Sequence, residues 1–365
     1  METRNSPFSK HEDRISKLPD TLIHHILSFI DMKYAVQTSV LSRRWRHKWK
    51  SLGTLNFDDG LFNSPIVGNS FVDFVDKFPQ CLFTCKSLTK LALEMGGKES
   101  SKIILPDSMS LPRLKFLKFG SLSIYDEKVT DKLFSSCPAL ESLILIDTRV
   151  TDYDMNLNIS SLKLKHIELD NCGYFDTWES GIKTIKLYAP NLTSFSCKDY
   201  MSQDYSLENL SSLFSADINM VVEEDYETPE FYSKLPVEVK ELYAQHMMKF
   251  LRALYNVKDL KLSSGFLEIT FSSGNIGDYW EAGLSLPCML HHLKFVEIRE
   301  VLGCVNELKL LEILLKNSIV LEKVILFSST SEQNSRSRER RIMKFSETLI
   351  TFPRASTSTL ILFRF

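Results

Sequence analysis

Leu88-Thr-Lys-Leu91-Ala-Leu93 is a phrase that this chain keeps returning to. Leu114-Lys-Phe-Leu117-Lys-Phe119 follows it, then Leu140-Glu-Ser-Leu143-Ile-Leu145, Leu164-Lys-His-Ile167-Glu-Leu169 and Leu192-Thr-Ser-Phe195-Ser-Cys197. Looser copies stand at Leu213/Ala216/Ile218 and Val257/Leu260/Leu262. The first five copies start 26, 26, 24 and 28 residues apart. Alternate side chains of a strand share a face, so the last two apolar residues of each phrase point one way and the residues between them the other. A strand this short cannot bury its apolar face alone. Copies must stack on one another as a parallel sheet along a solenoid.

A period of about 20 to 29 residues with this spacing is that of a leucine-rich repeat. The predicted fold class is α/β, with a leucine-rich-repeat solenoid built on a parallel sheet. Cys172 also fits the consensus, eight residues after Leu164, whereas Gly96, Leu122 and Thr148 depart from it at that place, so the solenoid is irregular. Prolines before the strands, as in Cys137-Pro138-Ala139-Leu140 and Ala189-Pro190-Asn191-Leu192, end the preceding helix or loop. The leucines are core. Any function belongs to the outward residues between them, among which Phe116, Lys118, Ile144, His166, Glu168 and Asp170 are the candidates for binding a target protein. They form no catalytic grouping.

Toward the C-terminus the phrase recurs at Leu293/Val296/Ile298 and Leu321/Val324/Leu326. Glu307 to Asn317 reads as a helix with Leu308, Leu311, Leu314 and Leu315 on one side. Ser328 to Arg338 reads as a polar loop, Ile342, Phe345, Leu349 and Ile350 as a last helix, and Thr359 to Phe365 as a final strand. This β-α-β-α-β order continues the solenoid. Leu286-Pro287-Cys288, Leu293-Lys-Phe-Val296-Glu, Leu314-Leu315-Lys-Asn317 and Phe352-Pro353-Arg354-Ala355-Ser356 resemble the FBD domain that follows the repeats in many plant F-box proteins.

Upstream of the repeats, Pro19 suits the first position of a helix and Asp20 its first turn. Leu22, Ile23, Ile26, Leu27 and Ile30 recur at helical spacing. Asp31 can cap a second helix over Met32, Ala35, Val36 and Val40. Ser42 can cap a third with Trp45 and Trp49 on one face. Three short helices bury too little to stand alone, so the module must pack on its own chain or lend apolar surface to a partner. Ile15-Ser-Lys-Leu18-Pro19 through Ile30, with Leu41-Ser42-Arg43-Arg44-Trp45 and Trp49, resembles an F-box of the plant type. The resemblance implies docking to a SKP-type adaptor, and through it a cullin–RING ligase, by way of Leu18, Pro19, Ile26, Leu41 and Trp45. The chain then divides into a disordered tail 1–12, a three-helix F-box 13–57, repeats 58–283 and an FBD domain 284–365.

Composition narrows the remaining classes. Net charge is −2, yet residues 32–57 hold six Lys or Arg and no acid. That basic run suits an acidic adaptor, and equally a phosphate backbone, but no stacking platform or groove-reading helix accompanies it, so nucleic acid is not an expected partner. The N-terminus is polar and no apolar run reaches the length of a membrane helix, which points to a soluble chain of the cytoplasm or nucleus with no membrane partner. Seven scattered cysteines fit a reducing compartment. The phosphate-binding glycine signatures, H-E-x-x-H and G-x-S-x-G are missing. Neither His24-His25 nor His291-His292 is spaced to chelate a metal, and Cys81 and Cys85 lack a second pair. The expectation is a non-catalytic chain without cofactor or metal: the substrate-recognition subunit of a SKP–cullin–F-box ubiquitin ligase. Two alternatives stay open: a repeat-based interaction scaffold that engages no ligase, and a co-receptor that holds its target through a small molecule.

Overall fold

The computed structural model describes residues 14–30, 32–38, 41–45, 48–58, 82–94, 101–102, 105–124, 127–147, 149–150, 156–170, 184–221, 235–267, 287–328 and 335–364. Its spine is a parallel sheet of eleven strands among these residues. Every repeated phrase becomes one strand, and the strands lie in chain order. Lys90–Glu94, Phe116–Gly120, Ser142–Ile146, His166–Asp170, Ser194–Tyr200, Ser215–Val221 and Asp259–Ser263 form the repeats. Phe295–Val301, Lys323–Ser328 and Leu360–Arg364 continue the same sheet to the C-terminal end.

The register shows why the phrase repeats. Leu91 pairs with Leu117, Leu117 with Leu143, Leu143 with Ile167 and Ile167 with Phe195. The row runs on through Ala216, Leu260, Val296, Val324 and Ile361. The leading leucines Leu88, Leu114, Leu140, Leu164 and Leu192 are buried as well. Stacked identical positions share one continuous core, so each repeat is stabilised by its neighbours. Just before each strand the backbone turns the same corner. The amides of Lys115, Glu141 and Lys165 each donate to the carbonyl of the residue one repeat back, at 2.8 Å in each case.

Thr54–Asp58 is an eleventh strand that the phrase does not reveal. Leu55 and Phe57 pair with Leu91 and Leu93 and are buried. The expected boundary between residues 57 and 58 therefore falls inside the first strand of the solenoid, and the F-box is joined to the repeats by continuous sheet. The opposite wall of the solenoid carries a second parallel ladder of Asn156–Ser160, Thr184–Tyr188 and Asp204–Glu208. The helix Glu127–Ser135 packs beside the first of these strands and Val237–Ala253 beside the last. Phe250 of that second helix stacks on Phe195 of the sheet at 5.8 Å and meets the edge of Tyr205 at 5.0 Å.

In the F-box, the helix Asp20–Ser28 starts one residue later than the sequence suggests. Pro19 is its N-cap, with an extended ψ of 148°, and its carbonyl accepts from Leu22 and Ile23. Met32–Gln37 is the second helix, while Asp31 lies outside the described residues. The expected third helix is a turn at 43–45 followed by a 3-10 turn, Lys48–Ser51, among the described residues. Ser42 Oγ is buried without a partner and caps nothing; its carbonyl instead accepts from the Trp45 amide. Trp45 and Trp49 are buried nonetheless.

At the C-terminal end the β-α-β-α-β order holds, with helices Val305–Asn317 and Ser335–Ile350. The expected loop at 328–338 is corrected on its second half: the helix already starts at Ser335. Its polar first turns hide it from an apolar reading, since the inward residues Ile342, Phe345 and Leu349 come later and Ile350 points to solvent. Cys172 and Cys81 lie outside the described residues.

Candidate docking surfaces

The helix Asp20–Ser28 carries two apolar stripes. Ile23 and Leu27, four residues apart, face the core. Leu22 and Ile26, also four apart, are 47% and 41% exposed. A helix on a protein surface ordinarily has one apolar stripe and polar residues opposite. Here a second apolar stripe stands about 100° round the helix from the first, and Ile15, Phe29, Tyr34 and Leu41 of the same module are exposed as well. Six of the seventeen exposed large apolar side chains among the described residues thus fall between residues 15 and 41. Contiguous exposed apolar surface of this kind marks an interaction site.

The patch rests on a polar brace. Asp20 accepts from Arg44 at 3.0 Å and Lys48 at 2.6 Å, and these bonds, Lys48 first, hold its carboxyl below the usual range. Arg44 also donates to the Ser16 carbonyl at 2.8 Å, and Trp45 Nε1 to the Ile15 carbonyl at 3.2 Å. His24 meets Ser51 Oγ at 2.6 Å. The brace fixes the helix against the segment 41–51 and uses two cations of the basic run on the module's own acid.

The five residues expected to dock the adaptor divide accordingly. Ile26 and Leu41 are exposed on the patch, Pro19 is exposed at the helix start, Leu18 is half-buried against the core, and Trp45 is buried beneath it. Leu22, Phe29, Tyr34 and Ile15 belong to the same surface and were not in that set. The signal that finds them is the second stripe, visible as apolar residues at 22, 26 and 29 beside the inward pair at 23 and 27.

The second surface is the outward face of the sheet. Phe116, Ser142 and His166 are register neighbours, as are Lys118, Ile144 and Glu168, and then Gly120, Ile146 and Asp170. All six residues expected to contact a target therefore gather on three adjacent strands, each half-exposed. Lys118 reaches Glu94 at 2.5 Å and Lys198 reaches Asp170 at 3.6 Å. Beyond them the row continues through Asp217, Lys261 and Glu297. Arg299 holds Asp217 with both terminal nitrogens, at 3.0 and 2.9 Å, and Glu297 at 2.7 Å. Asp259 nearby has its carboxyl pushed up, by burial first and then by Glu297 and Asp217. These residues occupy the same alternate positions as the six, two to four strands on.

The interior holds buried polar side chains as well. Tyr205 donates to Asp199, and Cys197 Sγ to the Tyr205 oxygen at 3.3 Å, all three buried. Burial pushes the Cys137 thiol up to about 12, which removes it as a nucleophile at neutral pH. Among the described residues no group of three or more His, Cys, Asp and Glu could hold a metal, and no helix is long and apolar enough to cross a membrane.

The domain order agrees with known protein families. Residues 15–56 match the F-box domain model, 61–211 the model of LRR repeats of FBD-associated F-box protein At5g56370, and 285–326 the FBD model. The chain is 29% identical over 283 residues to F-box/LRR-repeat protein At3g59250 of Arabidopsis thaliana, covering 71% of this chain and 63% of that protein. F-box/LRR-repeat protein At3g58900 of the same plant is 28% identical over 323 residues, covering 72% and 97%. Putative F-box/FBD/LRR-repeat protein At3g59240, also from Arabidopsis thaliana, is 27% identical over 317 residues, covering 71% and 60%. The chain spans about three fifths of the length of the first and third of these relatives. The strand ladder runs past the repeat match at residue 211 and past the FBD match at residue 326. The chain thus carries matches to the F-box, LRR-repeat and FBD models in that order, and these relatives are Arabidopsis F-box/LRR-repeat and F-box/FBD/LRR-repeat proteins.

Proposed function

We propose that the chain is the substrate-recognition subunit of a SKP–cullin–F-box ubiquitin ligase. Its F-box docks a SKP-type adaptor, and the outward face of the sheet holds a target protein while the ligase core modifies it. The chain itself performs no chemistry in this reading, and it works in the cytoplasm or nucleus. The observation that carries the proposal is the second apolar stripe of the helix Asp20–Ser28. Leu22 and Ile26 are exposed beside the buried pair Ile23 and Leu27, and docking removes that surface from water. Burial of apolar area is the main drive of such association. The sheet face supplies the second half of the role, since it presents apolar and charged side chains at fixed spacing on a rigid scaffold.

The test is direct binding of the full chain to a recombinant SKP-type adaptor. A stable complex that is lost on Leu22→Ser with Ile26→Ser supports the adaptor role. Failure of the intact chain to bind leaves it an interaction scaffold that engages no ligase.

A further inference from the structure

The outward face changes character at its C-terminal end. Across the strands Ser215–Val221, Asp259–Ser263 and Phe295–Val301 it is acid-rich, and its acids Asp217 and Glu297 are already held by Arg299. On the last two strands it turns apolar and basic. Ile325 pairs with Leu362, and Lys323 stands between Phe295 and Leu360. Phe295 is 38% and Leu360 53% exposed, although both lie in the middle or at the rim of a sheet. Lys323 and Arg364 border this platform, and neither has a carboxylate partner among the described residues; Arg364 lies over the Phe327 ring at 5.5 Å. The neighbouring acids are taken, Glu297 by Arg299 and Glu322 by Lys294 at 2.6 Å. An apolar platform flanked by two cations that lack a carboxylate partner among the described residues calls for an occupant with the opposite pattern.

We propose that the end of the sheet, in and beyond the FBD region, is a docking station for an extended acidic–aliphatic segment of the target protein. The inference rests on the reading of the outward face as the target surface and adds the chemistry of one part of it. The spacing sets the pattern of the segment. Lys323 and Arg364 are one strand apart and about four residues apart along the strand direction, since Lys323 pairs with Leu360. That separates their backbones by roughly 14 Å, from about 3.3 Å per residue and 4.8 Å between strands. An extended chain covers this distance in about four residues and presents residues i, i+2 and i+4 on one side. Carboxylates at i and i+4 then meet the two cations, and an aliphatic side chain at i+2 lies on Ile325 and Leu362. A segment laid one or two strands too early meets Arg299, a cation already engaged by Asp217 and Glu297, which favours the later position.

Random short peptides displayed for selection against the full chain bound to its adaptor test this. Enriched peptides should carry two acids four apart around an aliphatic residue. Their affinity should fall at least about tenfold on Lys323→Glu with Arg364→Glu, and similarly on Leu360→Ser with Leu362→Ser. Both pairs are outward, and an unchanged melting transition verifies that the fold persists. Phe116→Ser with Ile144→Ser should leave these peptides bound. Peptides that depend on Phe116 and Ile144 but not on the C-terminal residues would uphold the target face and overturn this station. Peptides indifferent to both, or no enrichment, overturn it as well, and adaptor binding measured in parallel reports separately on the F-box. Self-association of the chain that disappears in the charge-reversed variant would identify the occupant as a second copy and overturn the proposal.

Discussion

Ser264, just after the strand Asp259–Ser263, donates its hydroxyl hydrogen to Glu307 Oε1 at 2.6 Å, across 43 residues of chain. Glu307 is fully buried and receives three further donors, the amides of Leu302, Gly303 and Cys304 at 2.9, 2.8 and 2.9 Å. Burial pushes its carboxyl up, and these four bonds act in the opposite direction. The carboxyl at once caps the helix Val305–Asn317, shapes the turn before it and clips the C-terminal segment to the repeats.

Removing the two ends of this contact should differ sharply. Ser264→Ala leaves a carboxylate with three amide donors and should cost about 1 kcal/mol. Glu307→Ala strands three amides away from water, and each unsatisfied buried group costs about 1 to 3 kcal/mol. A urea melt of the full chain should show a several-fold larger loss for the glutamate. Equal losses would mean that the amides find other partners.

The strand register makes a second prediction. Leu143 is fully buried between Leu117 and Ile167, so Leu143→Asp places an unpaired charge in the core and should unfold the repeats. Ser142, one residue away, faces outward between Phe116 and His166. Ser142→Asp should leave the thermal midpoint within about 1 kcal/mol of the parent in stability. Circular dichroism melts of the two variants check it.

The sheet was legible because one six-residue phrase, with a leading apolar residue and two alternating ones, marks nine of its eleven strands. The opposite wall was not. Asn156-Leu-Asn-Ile-Ser160, Thr184-Ile-Lys-Leu-Tyr188 and Asp204-Tyr-Ser-Leu-Glu208 alternate as strands do, but lack the leading leucine and a constant interval. The helix Val237–Ala253 buries Tyr243, Met247 and Met248 where a search for leucines finds little. In the F-box, five apolar residues within nine positions looked like one broad stripe. Which of them faces the core depends on where Trp45 and Trp49 pack, and that is tertiary information. The outward row of the sheet was legible in its first strands, since alternation alone decides it there.

Docking should separate the two stripes. Leu22→Ser with Ile26→Ser removes exposed apolar surface, so the fold should persist while affinity for a SKP-type adaptor falls at least about tenfold, or about 1.4 kcal/mol. Trp45→Ala empties a buried site and should cost about 3 to 5 kcal/mol, which loosens the module and abolishes binding indirectly. Leu18→Ala with Pro19→Ala should weaken binding similarly to the exposed pair. Calorimetric titration with parallel melts distinguishes surface loss from unfolding.

Acid sensitivity has one identifiable source at the corner of the repeats. Glu141 is bridged by Lys115 and Lys165, both at 2.9 Å, and their hydrogen bonds bring its carboxyl down to about 2. A depressed folded pKa means that the stabilisation is present above the ordinary glutamate range near 4.5 and is lost as pH falls toward 2. Glu141→Gln should therefore flatten the fall in stability between those values and change little at neutral pH in high salt, where exposed pairs are screened. Denaturant midpoints measured across acid pH check the sign.

The C-terminal segment should behave as the end of one solenoid and not as a tethered module. Asp259–Ser263 pairs with Phe295–Val301 along its whole length, so deleting residues 284–365 leaves that strand as an open edge. The same deletion removes Glu307 from Ser264 and uncovers Leu260 and Leu262, which are buried in the intact chain. A long, apolar, unpaired edge templates pairing with another chain, and repeat arrays need a cap for this reason. The residues 1–283 should aggregate, while whatever remains in solution still binds the adaptor through a helix far from the cut. Light scattering and a pull-down on the same preparation test both halves of the expectation. A monomeric 1–283 fragment with an unchanged melting transition would show that the three last strands contribute nothing to the repeats, and the continuous register from Leu91 to Ile361 would then have no energetic meaning.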